Sequence, residues 1–131
     1  MTARNIVEHF LDLVDAGEWS RLPELYAEDA AVEQPFAKPV ALQLQGIDAI
    51  RAHFARAAHA PLHFRVVNRI VHQTVDPEVV IAEFDYDGVV TNTGRHFSVA
   101  NVQVFRVRNG RIAATTDYHD HAAIARVVTG P

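Results

Sequence analysis

The sequence predicts an α+β domain in which three N-terminal helices pack on a curved antiparallel sheet around one small-molecule pocket. Two observations carry this expectation. Apolar residues recur at helical spacing through the N-terminal part of the chain, and four long β-rich runs separated by turn signals follow from His63 onward. Helices first and hairpins afterwards argue against the strand–helix alternation that builds a parallel, doubly wound sheet. A length of 131 residues with 49% hydrophobic composition suits one domain, residues 1–128, with 129–131 as a loose tail.

Ile6, Val7, Phe10, Leu11, Leu13 and Val14 give the first helix its apolar face, with Thr2 as its cap and Gly17 where it stops. Ser20 is expected to cap a short second helix that carries Leu22, Leu25 and Tyr26 and ends near Glu28, with Pro23 in its first turn. Ala30 to Phe36 reads as a strand broken by Pro35 and Pro39. Ile47, Ile50, Phe54 and Ala57 form the stripe of a third helix closed by Pro61. The long strands are His63 to Gln73, Val79 to Val89, Arg95 to Arg108 and Arg111 to His119. Asp76-Pro77, Asn92-Thr93-Gly94 and Asn109-Gly110 turn the chain between them. Asp120 is placed to cap a short last helix with Ile124, Val127 and Val128. On the third and fourth long strands both faces are apolar: Phe97, Val99, Phe105 and Val107 on one, Val102, Val104, Ile112 and Ala114 on the other. The helices cover one face, which leaves the outer one as a homodimer surface.

Composition narrows the function classes. A net charge of −4 with scattered basic residues lacks the footprint of a nucleic-acid binder. The absence of cysteine excludes disulfides, thiolate metal sites and cysteine nucleophiles. The opening MTARNIVEHF has neither the charge pattern of a signal peptide nor a membrane span, so no membrane partner and a cytoplasmic location are expected. His119, Asp120 and His121 are adjacent, but successive strand residues diverge and no third ligand is fixed. The other histidines show no HExxH spacing, so no metal is expected. Without a glycine-rich phosphate loop, a nucleophile elbow or a lysine in a Schiff-base setting, no cofactor is expected either.

Three stretches, FLDLVDAGEWSRLPELYAEDAAVEQPF, GIDAIRAHF and VQVFRVRNGRIAATTDYHD, resemble the cone-shaped domain shared by ketosteroid isomerases, limonene epoxide hydrolases and SnoaL-like polyketide cyclases, the nuclear transport factor 2-like (NTF2-like) superfamily. The resemblance spans nearly the whole chain. It implies the fold, and leaves the reaction open because this scaffold hosts many chemistries. The isomerase positions for a helix-one Tyr, an Asp base and a protonated Asp match Phe10, Gln34 and Asn101, none of which can reproduce the role in full. The charged pair of the epoxide hydrolases matches Phe84 and Tyr86, which leaves only Gln34 and Asp117 of that set. The cyclases use a last-strand Asp as acid and base with a partner on the preceding strand. Asp117 matches the acid and Gln103 the partner.

Strand register decides whether these residues meet. A two-residue Asn109-Gly110 turn pairs Arg108 with Arg111 and sets Asn101 on a face with Tyr118. A three-residue loop, with Gly110 left-handed, pairs Gln103 with Thr115 and Asn101 with Asp117, and gathers every polar candidate on one face. The resemblance favours the three-residue loop, and that register is adopted here. Phe84 and Tyr86 then point inward, and Glu83, Asp85 and Asp87 outward.

The expected site has Asp117 as general acid and base among Phe10, Phe54, Phe84, Phe97 and Phe105, since a carboxylate stripped of water among rings is suited to proton transfer. His119, two residues along the same strand face, is the second acid. Asn101, Gln103 and Gln34 offer amides to a carbonyl oxygen or enolate, and Tyr86 a hydroxyl. Tyr26 and Trp19 are read as packing residues. The function expected is a cofactor-free acid–base enzyme, of the SnoaL-like cyclase or isomerase type, acting on a small, largely apolar carbonyl metabolite. The alternatives are a non-catalytic binder of a small hydrophobic ligand and a protein-interaction dimer with a vestigial pocket.

Overall fold

In a computed structural model that describes residues 1–130, the chain forms α1 (Ala3–Asp15), a 3-10 helix (Trp19–Leu25), β1 (Tyr26–Gln34), β2 (Leu42–Gln45), α2 (Ile47–Ala58), β3 (Leu62–Gln73), β4 (Val79–Val90), β5 (His96–Arg108), β6 (Arg111–His119) and α3 (His121–Thr129). The α+β class and the order of helices and hairpins match the sequence reading. Helix α1 begins at Thr2, whose side chain accepts from the Asn5 backbone N–H while Asn5 reaches back to the Thr2 N–H. Its buried face is Ile6, Val7, Phe10, Leu11, Leu13 and Val14, as expected. At its end Asp15 takes both guanidinium nitrogens of Arg65 at 2.8 and 3.0 Å and the Val66 N–H at 2.8 Å, which fastens α1 to β3. The Arg65 bonds hold the Asp15 pKa below its ordinary value.

Five expectations are corrected. The second helix is a 3-10 helix without a Ser20 cap, because Pro23 lies inside it and withholds one N–H. It ends at Leu25, so that Tyr26 opens β1. β1 therefore starts earlier than Ala30, and it stops at Gln34, before Pro35. A short strand, β2, pairs antiparallel with β1, and its Leu-Gln-Leu-Gln alternation was the signal for it. The sheet is not purely antiparallel, since its order β2-β1-β6-β5-β4-β3 sets β1 parallel to β6. The expected tail is shorter: Thr129 closes α3 and its hydroxyl bonds back to the Ala125 carbonyl at 2.7 Å, Gly130 follows as the helix cap, and Pro131 lies outside the described residues.

The fifth correction is the β5–β6 register. Asn109 and Gly110 both have positive φ, at 54° and 74°, so the turn has two residues and Arg108 pairs with Arg111. The three-residue loop is therefore wrong. A bulge then does what that loop was asked to do. Val107 pairs with Ile112 but Arg106 with Ala114, so Ala113 has no partner and the ladder slips by one. Beyond it Phe105 faces Thr115, Gln103 faces Asp117 and Asn101 faces His119, which keeps Asp117 inside and leaves Tyr118 outside. Ile112, expected on the outer face, is fully buried in the core because the two-residue turn pairs it with the inward-facing Val107.

The bulge makes β6 tolerant of losing one residue. Deleting Ala113 leaves an unbroken ladder with Asp117 still opposite Gln103, and the expected cost is a few degrees of melting temperature. Deleting Val104 instead breaks pairing with both neighbours of β5, which are continuous through that point, and no folded protein is expected. Thermal unfolding of the two variants, followed by circular dichroism, checks the contrast.

The main core lies between the inner sheet face and α1, the 3-10 helix and α2, with Phe105 at its centre, edge-on to Phe10 at 5.1 Å. A second cluster, Val90, Phe97 and Val99, is covered by Ala123, Ile124, Val127 and Val128 of α3, whose cap Asp120 accepts from the Ala123 N–H. The outer face carries Glu83, Asp85 and Asp87, bonded to His72, Asn68 and His96. It also leaves Val102 and Tyr118 more than a third exposed. No helix among the described residues is long and apolar enough to cross a membrane.

Candidate active site

Period two along the strands and the stripe of α2 bring one set of side chains to a common hollow. From β6 come Asp117 and His119, from β5 Gln103, from β4 Tyr86, from β3 Phe64 and from β1 Tyr26, Val32 and Gln34. Phe10 and Val14 of α1, Trp19, and Ile50, His53 and Phe54 of α2 close it. The cavity measures about 220 Å³. A hollow of roughly 150 Å³ already holds benzene, so this one accommodates a single ring with a few further atoms.

Asp117 is 9% exposed. Its Oδ2 accepts from Gln34 Nε2 at 3.4 Å and lies 3.2 Å from His119 Nδ1. When Asp117 is ionised that contact places the proton on Nδ1, and Nε2 is left to face a ligand. Both contacts fall on one oxygen, and Oδ1 has no hydrogen-bond partner among the described residues. Gln34 reaches Asp117 because the parallel pairing sets Glu33 opposite Thr116 and carries the next residues alongside one another.

The titratable neighbours are shaped by burial. Burial, then the Asp117 charge, pushes the pKa of both Tyr26 and Tyr86 upward, and Tyr26 adds to the effect on Tyr86. Burial lowers the pKa of His53, as do Arg56 and His119, against the pull of Asp117. Burial and His119 lower that of His121, against Asp117 and Asp120. The His119 and His121 rings lie 3.6 Å apart, and His121 Nε2 is buried with no partner among the described residues. No group of three or more potential ligands among the described residues is arranged to hold a metal ion.

Of the residues expected from sequence, Asp117, His119, Gln103, Gln34, Tyr86, Phe10 and Phe54 line the cavity. Phe84, Phe97, Phe105 and Asn101 do not. Phe84 and Phe105 fill the core behind the cavity wall, and Phe97 packs in the cluster beneath α3. Asn101 spends its amide Nδ2 on the Phe84 and Val99 carbonyls at 3.4 and 3.3 Å, and its Oδ1 is buried and unpaired among the described residues. Sequence reasoning missed His53, His121 and Phe64 and gave Tyr26 and Trp19 to packing alone. His53 was readable, because it follows Ile50 by three residues on the stripe of α2, and Phe64 alternates with Val66 on β3. His121 was not, because the chain leaves the strand at Asp120 and period two stops there.

The sequence profile of the SnoaL-like domain matches residues 7–115 and ends just short of Asp117 and His119. An uncharacterised PhzA/B-like protein of Pseudomonas aeruginosa is 30% identical over 119 residues, covering 90% of this chain and 84% of that one. The crystal structure of a Bacillus subtilis protein provisionally assigned as an isomerase superposes with a TM-score of 0.88 at 25% identity, covering 98% of this chain and 94% of that one. A Xanthomonas campestris protein provisionally assigned as a polyketide cyclase superposes with a TM-score of 0.82 at 20% identity, covering 97% and 96%, a likeness that speaks to the fold alone. With a family match over most of its length and an acid-bearing cavity inside the expected cone, the chain belongs to the SnoaL-like family.

Proposed function

We propose that the protein is an acid–base enzyme of the isomerase or cyclase type that needs no cofactor and acts on a small, neutral, largely apolar carbonyl compound. The observation that carries this reading is Asp117, buried at the wall of an aromatic cavity with both protein contacts on Oδ2, so that Oδ1 is left to take a proton. A C–H bond next to the substrate carbonyl breaks, its proton passes to Oδ1, and its electron pair forms the enolate. Returning the proton to another carbon isomerises the substrate. If the enolate carbon instead adds to a second carbonyl, a ring closes and the proton passes to the new alkoxide. Either way Asp117 ends ionised, as it began. His119 Nδ1 holds Oδ2 in place, and its Nε2 serves as the second acid when the ring carries a second proton.

The test is hydrogen exchange in deuterium oxide with a panel of single-ring ketones, 2-cyclohexenone among them, followed by proton NMR. Incorporation of deuterium beside the carbonyl at a rate well above buffer is the expected result. Ketones that raise the melting temperature yet are recovered undeuterated would replace this reading with that of a non-catalytic binder.

A further inference from the structure

We infer that the phenol hydroxyls of Tyr26 and Tyr86 together receive the substrate's carbonyl oxygen and hold the negative charge that develops on it. The inference rests on the acid–base reading above and assigns the second half of the site, for which the sequence had suggested the amides of Asn101, Gln103 and Gln34 with the Tyr86 hydroxyl beside them and had given Tyr26 to packing.

Tyr26 is 3% exposed and Tyr86 half-buried, on different strands, and both line the cavity. A buried tyrosine hydroxyl ordinarily finds a partner in the protein. Among the described residues neither of these oxygens has one. Nor are they sealed in like the buried, unpaired oxygens of Asn101 and Thr115, so both remain open to the hollow. Tyr26, Tyr86 and Asp117 all line this one hollow, and both phenols feel the Asp117 charge. Burial and that charge favour the protonated phenol, so both are kept as donors.

The rings are fixed. Tyr86 lies 4.1 Å from Phe64 and 5.6 Å from Phe84, and Tyr26 lies 6.4 Å from Phe10 and 5.9 Å from Phe54. Donors held this way need no reorganisation as charge arrives. Two rival donors are engaged elsewhere: Asn101 bonds to backbone carbonyls away from the cavity, and Gln34 gives one of its two amide hydrogens to Asp117. Gln103 remains as an auxiliary amide.

The same lining defines the substrate class. No Lys or Arg faces the hollow among the described residues, so a substrate carboxylate would meet Asp117 with only the histidines His53, His119 and His121 to offset it. A neutral ketone or enone avoids this conflict. When its C–H proton moves to Oδ1, the charge moves from the carboxylate to the enolate oxygen, and the cavity carries one negative charge before and after.

The probe is 4-nitrophenol, a single-ring oxyanion whose absorbance reports its ionisation, bound to the Asp117→Asn protein, which stands for the enzyme after proton transfer. Bound probe is expected to ionise more readily than free probe. Adding Tyr26→Phe or Tyr86→Phe is expected to weaken binding by about tenfold to a hundredfold each, the usual worth of a hydrogen bond to a charged group. Failure of the probe to bind, a bound probe that stays neutral, or unchanged affinity in both tyrosine variants would overturn the inference. Should a variant fail to fold, the ionisation of the probe on the Asp117→Asn protein still decides. No turnover is involved, so failed deuterium exchange would remove Asp117 as base and leave the tyrosine pair standing, and loss of the pair would leave the base untouched.

Discussion

Asp117→Asn is expected to slow deuterium incorporation by about a thousandfold while leaving the melting temperature within a few degrees of the parent. General-base catalysis contributes roughly 10²–10⁴-fold, and asparagine cannot accept the proton at all. The substitution keeps the shape of the side chain. Its carbonyl oxygen can still accept from Gln34 Nε2 and His119 Nδ1, which now meet Asp117 at 3.4 and 3.2 Å. Removing a charge from a site 9% exposed also lifts a desolvation cost, so stability has a reason to hold or rise. Exchange rates and thermal melts on the same samples separate lost chemistry from lost fold. Near-parental exchange in the variant would show that another group takes the proton.

Gly88→Ala is expected to cost about 3 kcal/mol or more, a drop in melting temperature on the order of 10 °C. Gly88 sits in β4 opposite Phe64 on one side and Phe97 on the other. A Cβ there would lie 2.1 Å from the His63 carbonyl oxygen and 2.6 Å from Phe64 Cα and Cβ. Backbone cannot step aside without opening the β3–β4 ladder. The damage should reach the site, because Phe64 packs at 4.1 Å on Tyr86, so weaker binding of 4-nitrophenol is expected alongside lower stability. A melting temperature within 2 °C of the parent would mean that β3 is held less closely than its register indicates.

Legibility in the sequence followed the range of the forces involved. Helix α1, the four long strands and α3 were readable because capping, turn chemistry and side-chain periodicity are local. The extent of β1 was not, since Tyr26 leaves the 3-10 helix to reach a parallel partner near the other end of the chain. The β5–β6 hairpin shows how a local rule and a global demand can both hold. Asn109-Gly110 makes the two-residue turn that its residues prefer, and the inward placement of Asp117 is recovered four residues before the acid, by a bulge that no local signal marks. The phenylalanines illustrate the same limit. Phe10, Phe54, Phe84, Phe97 and Phe105 look equivalent as a list, and only the tertiary arrangement separates two that touch the cavity from three that build what lies behind it. Tyr26 and His53 were visible as inward residues, but packing and chemistry share one face and periodicity cannot tell them apart.

Gln34 and Asp117 are 83 residues apart in sequence and meet across the β1–β6 seam. Closing so long a loop has a large entropic cost that local contacts do not repay, so this seam belongs with the slow steps of assembly. A chain interrupted before its last strand lacks both the carboxyl and the strand that joins β1 to β5. In refolding, recovery of proton transfer can therefore coincide with the final docking event but never precede it, and the chemistry itself serves as a clock for when the two ends of the polypeptide have found each other.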